Sequence, residues 1–526
     1  MYRINSDVDK PDHKYLLKTI RDMMATGIKL HDIDHMLNKY NSEAATYAEY
    51  LKETYGINNP NSSKQIVGFM VGLSSAEIYE VANIDGKWTS NKDVMTTLAN
   101  MGYDWADAIL KYRKAKKYGD SVKALKEASD KNQMIHPEVT FSKTNRINYS
   151  SPALMNIPKS ILWKTISPRK EGNMLISADI KNQEPNILIN LTGATKLKPA
   201  LISEKGLYEE LFNQVYPVKA RLNLIITDTA ESRYVSNAEM ATHSKIPPVY
   251  YTPTKPLVEN CFIDGCRITT IDITNFIYNR NTDNKLPDEV VIEVDNPANP
   301  DDYLVRCKVD WDINNPETQK KIAKAKSGFV EVDGYIQGVE LRCEGQTRKE
   351  FKTAWNAMTY GAGIMGIRAT CKVIDADTFF KYFNNIAELK EYRKKCTELA
   401  NKGIHKIGTQ FRTLLDAGYA EPSRLKRILM DLPIQGTAAD ILALLVKHVN
   451  SEIDKRGLSG KLNIYFSRHD ELIFEADKAW VDSIGIDNVL ETVKDMTEHQ
   501  IDDWTPFKVE VNPVSDEAES SEDEEE

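Results

Sequence analysis

Apolar residues recur at intervals of three and four through residues 14–56, from "YLLKTIRDMM" across a break at Gly27 into "LHDIDHMLNKYNSEAATYAEYLKETYG". That period predicts helix. Ser62 and Ser63 stand ahead of an apolar run in "NPNSSKQIVGFMVGL", and "TSNKDVMTTLANMG" repeats the pattern, so both predict capped helices. Residues 105–127 predict another helix, rich in Lys and Arg. From 172 the texture changes. "GNMLISADI" reads as a short strand running into an acid, and residues from about 215 to 340 read mostly as strand and loop, with many Pro, Asn and Asp between apolar runs. Helix returns at 346–369, 375–415 and 433–455. Strands are predicted at 462–467 and 472–475, a helix near 480–503, and a last strand at 506–514. No internal repeat is visible.

Composition narrows the class. The chain has 526 residues, 41% hydrophobic and 28% charged, which suits a soluble protein with several domains. No run approaches the ~18–20 consecutive apolar residues of a membrane span, and the polar N-terminus is no secretory signal. Six scattered cysteines fit a reducing cytoplasm better than a disulfide framework. The net charge of −9 includes eight acids in the last twelve residues, so the rest of the chain is close to neutral, at −1. The tail has the composition of a solvated, disordered segment; solubilising or partner-binding roles both suit it.

"YFSRHDELIFEA", residues 465–476, places four ionisable groups between two apolar arms. The pattern predicts a hairpin with Asp470 at its turn. Asp179 ends the strand "MLISA" in a similar way. Two carboxylates on strand ends can share divalent cations, the requirement of two-metal phosphoryl transfer. Turned at 100° per residue, "RKEFKTAWNAMTYGAG" puts Arg348, Lys352, Trp355, Asn356, Thr359 and Tyr360 within one arc of roughly 140°. Arg and Lys one turn apart can hold a triphosphate, and the ring at the Gly end can pack on a base. A salt-bridged surface helix is the alternative. The cations at 111–117, interleaved with Tyr112 and Tyr118, suit either a solvated face or a phosphate backbone.

In their order and spacing these motifs resemble the family A, DNA polymerase I-like, DNA polymerases, over nearly the whole chain apart from a central insertion and the tail. "SADIKNQEP" resembles the first palm motif, with Asp179 as metal ligand beside the Ile180 carbonyl and Glu184 as the block to a ribose 2′-hydroxyl. "RKEFKTAWNAMTYG" resembles the fingers helix, with Arg348 and Lys352 as triphosphate ligands and Tyr360 near the templating base. "RHDEL" resembles the last palm motif, with Asp470 as second metal ligand, His469 at the primer terminus and Glu471 as accessory acid. "RINYSSPALMNIP" and "RILMDLPIQGTAADI" resemble segments that hold primer–template, through Arg146, Asn156, Arg427 and Gln435. Tyr208 falls where the family faces the triphosphate. Asn356 departs from the family, which has an aromatic residue next to the incoming sugar; the resemblance leaves open whether Trp355 takes its place.

The resemblance implies an α+β right-hand polymerase fold. Its expected divisions are a thumb with the start of the palm at 1–145, palm at 146–212, a β-rich insertion at 213–340, fingers at 341–415, palm again at 416–514 and the acidic tail at 515–526. It implies DNA-directed DNA synthesis from dNTPs on primer–template DNA, with two Mg²⁺ ions that Mn²⁺ can replace and with Lys352 as proton donor to pyrophosphate. It also implies a phage-type enzyme without an exonuclease domain, in the host cytoplasm and away from membranes. The insertion or the tail would serve for docking replication accessory proteins. A single-subunit RNA polymerase and an inactive DNA-binding replication subunit are the alternatives.

Overall fold

The computed structural model describes residues 1–84, 86–216, 219–227, 233–235, 261–263, 266–271, 274–279, 286, 289–295, 304–325, 329–336, 340–371 and 373–516. The acidic run of the tail from 517 onward lies outside them. The chain divides into two compact units, one of 1–183, 408–415 and 435–526, the other of 184–407 and 416–434.

The first unit is built on a four-stranded antiparallel sheet. Its order is Leu462–Arg468, Glu471–Ala476, Met174–Ile180, Val509–Pro513. Alternate residues face opposite sides of a strand, and most of those in Leu462–Arg468, Glu471–Ala476 and Met174–Ile180 are buried, so both faces are covered there. The apolar periodicity of 14–56 resolves into helices His13–Thr26 and Ile33–Tyr55 with a short strand, Ile28–Leu30, between them. Gly27 makes that break at φ 92°, in the region only glycine occupies easily. Ser62 caps the helix Ser63–Gly72 by accepting from the Gln65 amide, as its sequence predicts. Helix Asp104–Ala128 packs along Ile33–Tyr55, where the Tyr40 and Tyr118 rings meet edge to face at 5.3 Å. Leu51, Ile66, Met70, Val94, Leu98 and Trp105 form a separate apolar core around the smaller helices nearby.

The 34-residue helix Pro422–Lys455 is long and apolar enough to cross a bilayer, although its sequence is not one unbroken apolar run. Its most apolar window is 83% buried inside the protein, so it serves as a core helix. Its one deeply buried acid, Asp440, accepts from Thr413 Oγ1 at 3.0 Å and lies 2.7 Å from His13 Nε2. The segment predicted as helix at 480–503 ends early. Helices Lys478–Ile484 and Ile486–Thr497 give way to the strand His499–Ile501, which pairs in parallel with Tyr2–Ile4.

His499 is fully buried, stacked on Phe507 at 4.8 Å, with Nδ1 2.9 Å from the Thr497 carbonyl. Burial pushes its pKa down to about 4. A histidine whose folded-state pKa lies below its unfolded value binds protons more readily when unfolded. Stability is therefore whole above about pH 6.5 and falls as pH drops toward 4, by up to about 3 kcal/mol. Urea midpoints measured from pH 7 to 4.5 should show this slope, and His499→Gln should flatten it; an unchanged slope would assign the acid sensitivity to other groups.

The second unit contains the helices Leu207–Val215, Gly345–Thr359, Ala376–Asn385 and Ala387–Asn401. Edge-to-face rings join the first three, Phe212 to Phe351 at 5.4 Å, Phe351 to Phe379 at 5.2 Å and Trp355 to Phe383 at 5.2 Å. The predicted helix 375–415 stops at Asn401, because the chain turns at Gly403 (φ 67°) into short strands. Among the described residues of this unit, nine strands between Lys219 and Leu341 form one sheet. Lys219–Thr227 runs parallel to Thr274–Asn279 on one side and antiparallel to Phe329–Ile336 on the other. The helix Pro316–Lys324 contributes Ile322 to a small core with Leu224, Ile226, Val330 and Val332.

Candidate active site

The hairpin predicted around Asp470 forms, with strands Leu462–Arg468 and Glu471–Ala476 joined by a two-residue turn of His469 and Asp470. His469 has φ 53°, the left-handed value that tight hairpin turns demand at their first central residue. The arms do not alternate simply. A bulge between Ile464 and Phe466 buries Tyr465 as well, and its hydroxyl donates to the Ser167 carbonyl and accepts from the Lys29 amide, both at 2.8 Å. The Arg169 guanidinium lies 4.2 Å from that ring. That arm is thereby anchored to the segments around Lys29 and Ser167.

Strand Met174–Ile180 pairs with the second arm so that Asp179 stands directly opposite Glu471, and the Ile180 amide donates to the Asp470 carbonyl at 3.4 Å. Asp179 and Asp470, 291 positions apart, thus meet at one end of the sheet, both half-buried. Their donor set with the Ile180 carbonyl is all hard oxygen, which fits Mg²⁺ or Mn²⁺. Among the described residues there is no group of three or more His, Cys, Asp and Glu arranged to hold a metal, so the protein would offer two carboxylates and a carbonyl. Glu471 is engaged elsewhere. It is buried, accepts from Ser177 Oγ, and pairs with Lys159 Nζ at 3.0 Å.

Two hollows flank this corner within the same unit. One, of about 340 Å³, brings together Arg146, Gln435 and His469 with Gln183. Tyr149, whose buried hydroxyl donates to the Ser467 carbonyl at 2.9 Å, ties the strand that follows Arg146 to the hairpin. The other, of about 450 Å³, joins Asn156 to Arg113, Lys116 and Lys117 of the basic helix. That helix is less free than its charge suggests. Arg113 points inward and donates to the Ser90 carbonyl at 2.6 Å, Lys111 pairs with Asp107 at 2.8 Å, and Lys116 pairs with Asp120.

In the second unit, Arg348 and Lys352 are exposed on helix Gly345–Thr359, and Asn356 and Tyr360 are half-buried. The arc is narrower than the wheel predicts. Trp355 is 1% exposed and packed on Phe383, turned into the core of its unit. The Tyr360 hydroxyl donates to Glu184, and Lys352 Nζ lies 6.0 Å from the centre of the Tyr208 ring. Burial raises the Tyr208 pKa well above the usual range, Glu184 adds to this, and Arg348 opposes it. Glu184, Tyr208, Arg348, Lys352 and Tyr360 therefore form one cluster. Gly361, at φ 87°, ends the helix where a Cβ would lie 2.9 Å from Met430 Sδ and 3.4 Å from Arg427 Cγ, which places Arg427 beside the helix end.

Glu350 was not foreseen as a functional position. It lies on the apolar side of the same helix, is 4% exposed, and accepts from the Val373 amide at 2.7 Å and the Ile374 amide at 3.3 Å. A carboxylate on the apolar side of a helical wheel is the signal that could have found it. Glu350→Ala would leave those amides without their acceptor. It is expected to lower stability by about 1–3 kcal/mol, read as a shift in urea midpoint; no shift would mean that water replaces the carboxylate fully.

The model of "DNA polymerase family A" matches residues 31–223 and 331–515 of this chain. The DNA polymerase I of Caldicellulosiruptor bescii is 30% identical over 144 residues, a match covering 25% of this chain and 16% of that protein. The chain thus spans less than a fifth of the length of that curated relative. The polymerase domain of Pol1 from M. smegmatis, in complex with DNA primer-template and dNTP, superposes with a TM-score of 0.60 at 15% identity, over 95% of this chain and 69% of that one. The fold is thus the α+β fold of that domain. The described strands among residues 224–330, which the family model skips, belong to the nine-stranded sheet. Since the match takes in both acids of the sheet corner and the whole helix bearing Arg348 and Lys352, the chain belongs to DNA polymerase family A.

Proposed function

We propose that this chain is a template-directed DNA polymerase that extends a primer 3′ end with dNTPs. The observation that carries the reading is the register that sets Asp179 beside Asp470 at the sheet end. Family membership and the DNA- and dNTP-bound relative of the same fold support it. Asp179, Asp470 and the Ile180 carbonyl would hold divalent cations, Mg²⁺ or Mn²⁺, which supply activation of the primer hydroxyl and charge neutralisation at the phosphates. Arg348 and Lys352 would bind the triphosphate, and Lys352 would hold a proton for the departing pyrophosphate. Tyr360 would form a wall for the new base pair. Arg146, Gln435 and His469 would meet the primer end, while Asn156 and the hollow beside Lys117 would hold the duplex backbone. Residues 1–145 read as thumb, 146–212 and 416–514 as palm, and 341–415 as fingers.

Primer extension with Mg²⁺, comparing dNTPs with ribonucleotides, tests the reading. Extension with dNTPs alone is expected; a preference for ribonucleotides would assign an RNA polymerase, and no extension would leave a DNA-binding subunit. Glu184 should act as the block to a 2′-hydroxyl, held in place by Tyr360. Glu184→Ala is expected to admit ribonucleotides at least about tenfold more readily, the effect of relieving a ~1.4 kcal/mol clash. An unchanged dNTP/ribonucleotide ratio would remove Glu184 from sugar selection.

A further inference from the structure

We propose that Gln183 contacts the minor-groove edge of the base pairs at the primer end, an inference resting on the polymerase reading above. Gln183 opens the helix Gln183–Thr192 and lines the 340 Å³ hollow. Its side chain is 3% exposed, and its Nε2 is buried with no hydrogen-bond partner. A buried amide donor left unpaired destabilises the free protein, so a position that keeps one needs a reason.

The hollow supplies one. Lys143, Arg146, Asn148, Gln435 and His469 can all donate hydrogen bonds into it, and none of its lining residues is a carboxylate. Its floor is one helix face, Gln435, Ala438, Ala439 and Leu442, at spacings of three, one and three, small enough for a flat edge to approach. An acceptor-rich, flat, apolar-backed ligand fits such a surface. The minor-groove edge of duplex DNA presents purine N3 or pyrimidine O2 at every base pair, acceptors whose positions depend little on sequence. Arg146, Gln435 and His469 account for part of that edge. Gln183 adds a donor fixed by the same segment that carries Asp179, four residues before it. A mispaired primer end would shift its acceptors away from this donor, so Gln183 would favour extension of matched ends.

The test removes acceptors one at a time. Primer–templates carrying a single 3-deazapurine at the terminal or penultimate pair, on either strand, lack one N3. Wild-type extension should fall about tenfold at one of these positions, the scale of one lost hydrogen bond. Gln183→Leu should slow extension of unmodified primer by a similar factor, and the modification at that position should slow it no further. It should also narrow the preference for matched over mismatched ends. Without DNA, Gln183→Leu should melt at the wild-type temperature or above, since the unpaired amide is gone. Penalties that multiply at every position would overturn the contact. A melting temperature several degrees lower would assign Gln183 a structural role instead. If the wild-type protein extends no primer, the polymerase reading fails and this inference with it.

Discussion

Asp470→Ala is expected to lower primer extension by at least about 10³-fold, some 4 kcal/mol of transition-state stabilisation, while primer–template binding changes little. The asymmetry follows from where Asp470 sits. It occupies a two-residue turn between paired arms, so the ladder that carries it stays in place when the carboxylate is removed. The groups proposed to hold DNA line separate hollows and keep their geometry. Filter binding and single-turnover extension on the same preparation separate the two effects. Extension near the wild-type rate would refute the metal assignment. Glu471→Gln offers an internal contrast. Its side chain is committed to Ser177 and Lys159, so a loss of activity there should travel with a fall in melting temperature, whereas the loss at Asp470→Ala should far exceed what any change in melting accounts for.

Lys352→Ala should reduce kcat/KM for dNTPs by about 10²–10³-fold, and Arg348→Ala by a similar or smaller factor, the scale of one charge-assisted contact to a phosphate in a transition state. Both side chains are exposed on the helix, so neither change should alter the melting temperature. The two should differ in form. A group that only binds triphosphate raises KM, whereas a group that also delivers a proton to the leaving pyrophosphate lowers kcat. Lys352→Arg restores charge but not a readily lost proton, so it should recover KM more fully than kcat. Equal recovery of both would confine Lys352 to binding.

The corner of the sheet was legible because its physics is local. Apolar arms of fixed period and a two-residue turn leave one arrangement for Asp470, and a strand ending in Asp179 needs only a partner. The helix bearing Arg348 was legible in its exposed half and misread at Trp355. Indole carries an N–H, which places it among polar types on a wheel, yet its large apolar surface buries it against Phe383. Arg113 shows the converse, a cation in a basic run that turns inward to satisfy carbonyls. Gln183 left little trace in the pattern and Glu350 only a carboxylate on an apolar helix face, because what matters at each is a hydrogen-bond partner, or the lack of one, that only the folded chain defines. The strand order of the inserted sheet was out of reach, since long-range pairings such as Leu222 with Thr274 depend on no local period.

Two strands of that sheet, Lys219–Thr227 and Phe329–Ile336, are neighbours. Asn223 faces Glu331 across an antiparallel ladder, near the two points where the family model breaks off and resumes. Whatever lies between leaves the host through one ladder and returns through it, so the host's ends are already closed. A segment joined in this way can be gained, exchanged or lost in a lineage without reopening the fold around it. The same geometry marks a grafting point: joining Asn223 to Glu331 through a two-residue turn should yield a shorter chain that keeps the residues matched to the family, and a foreign domain with adjacent termini could be set there instead.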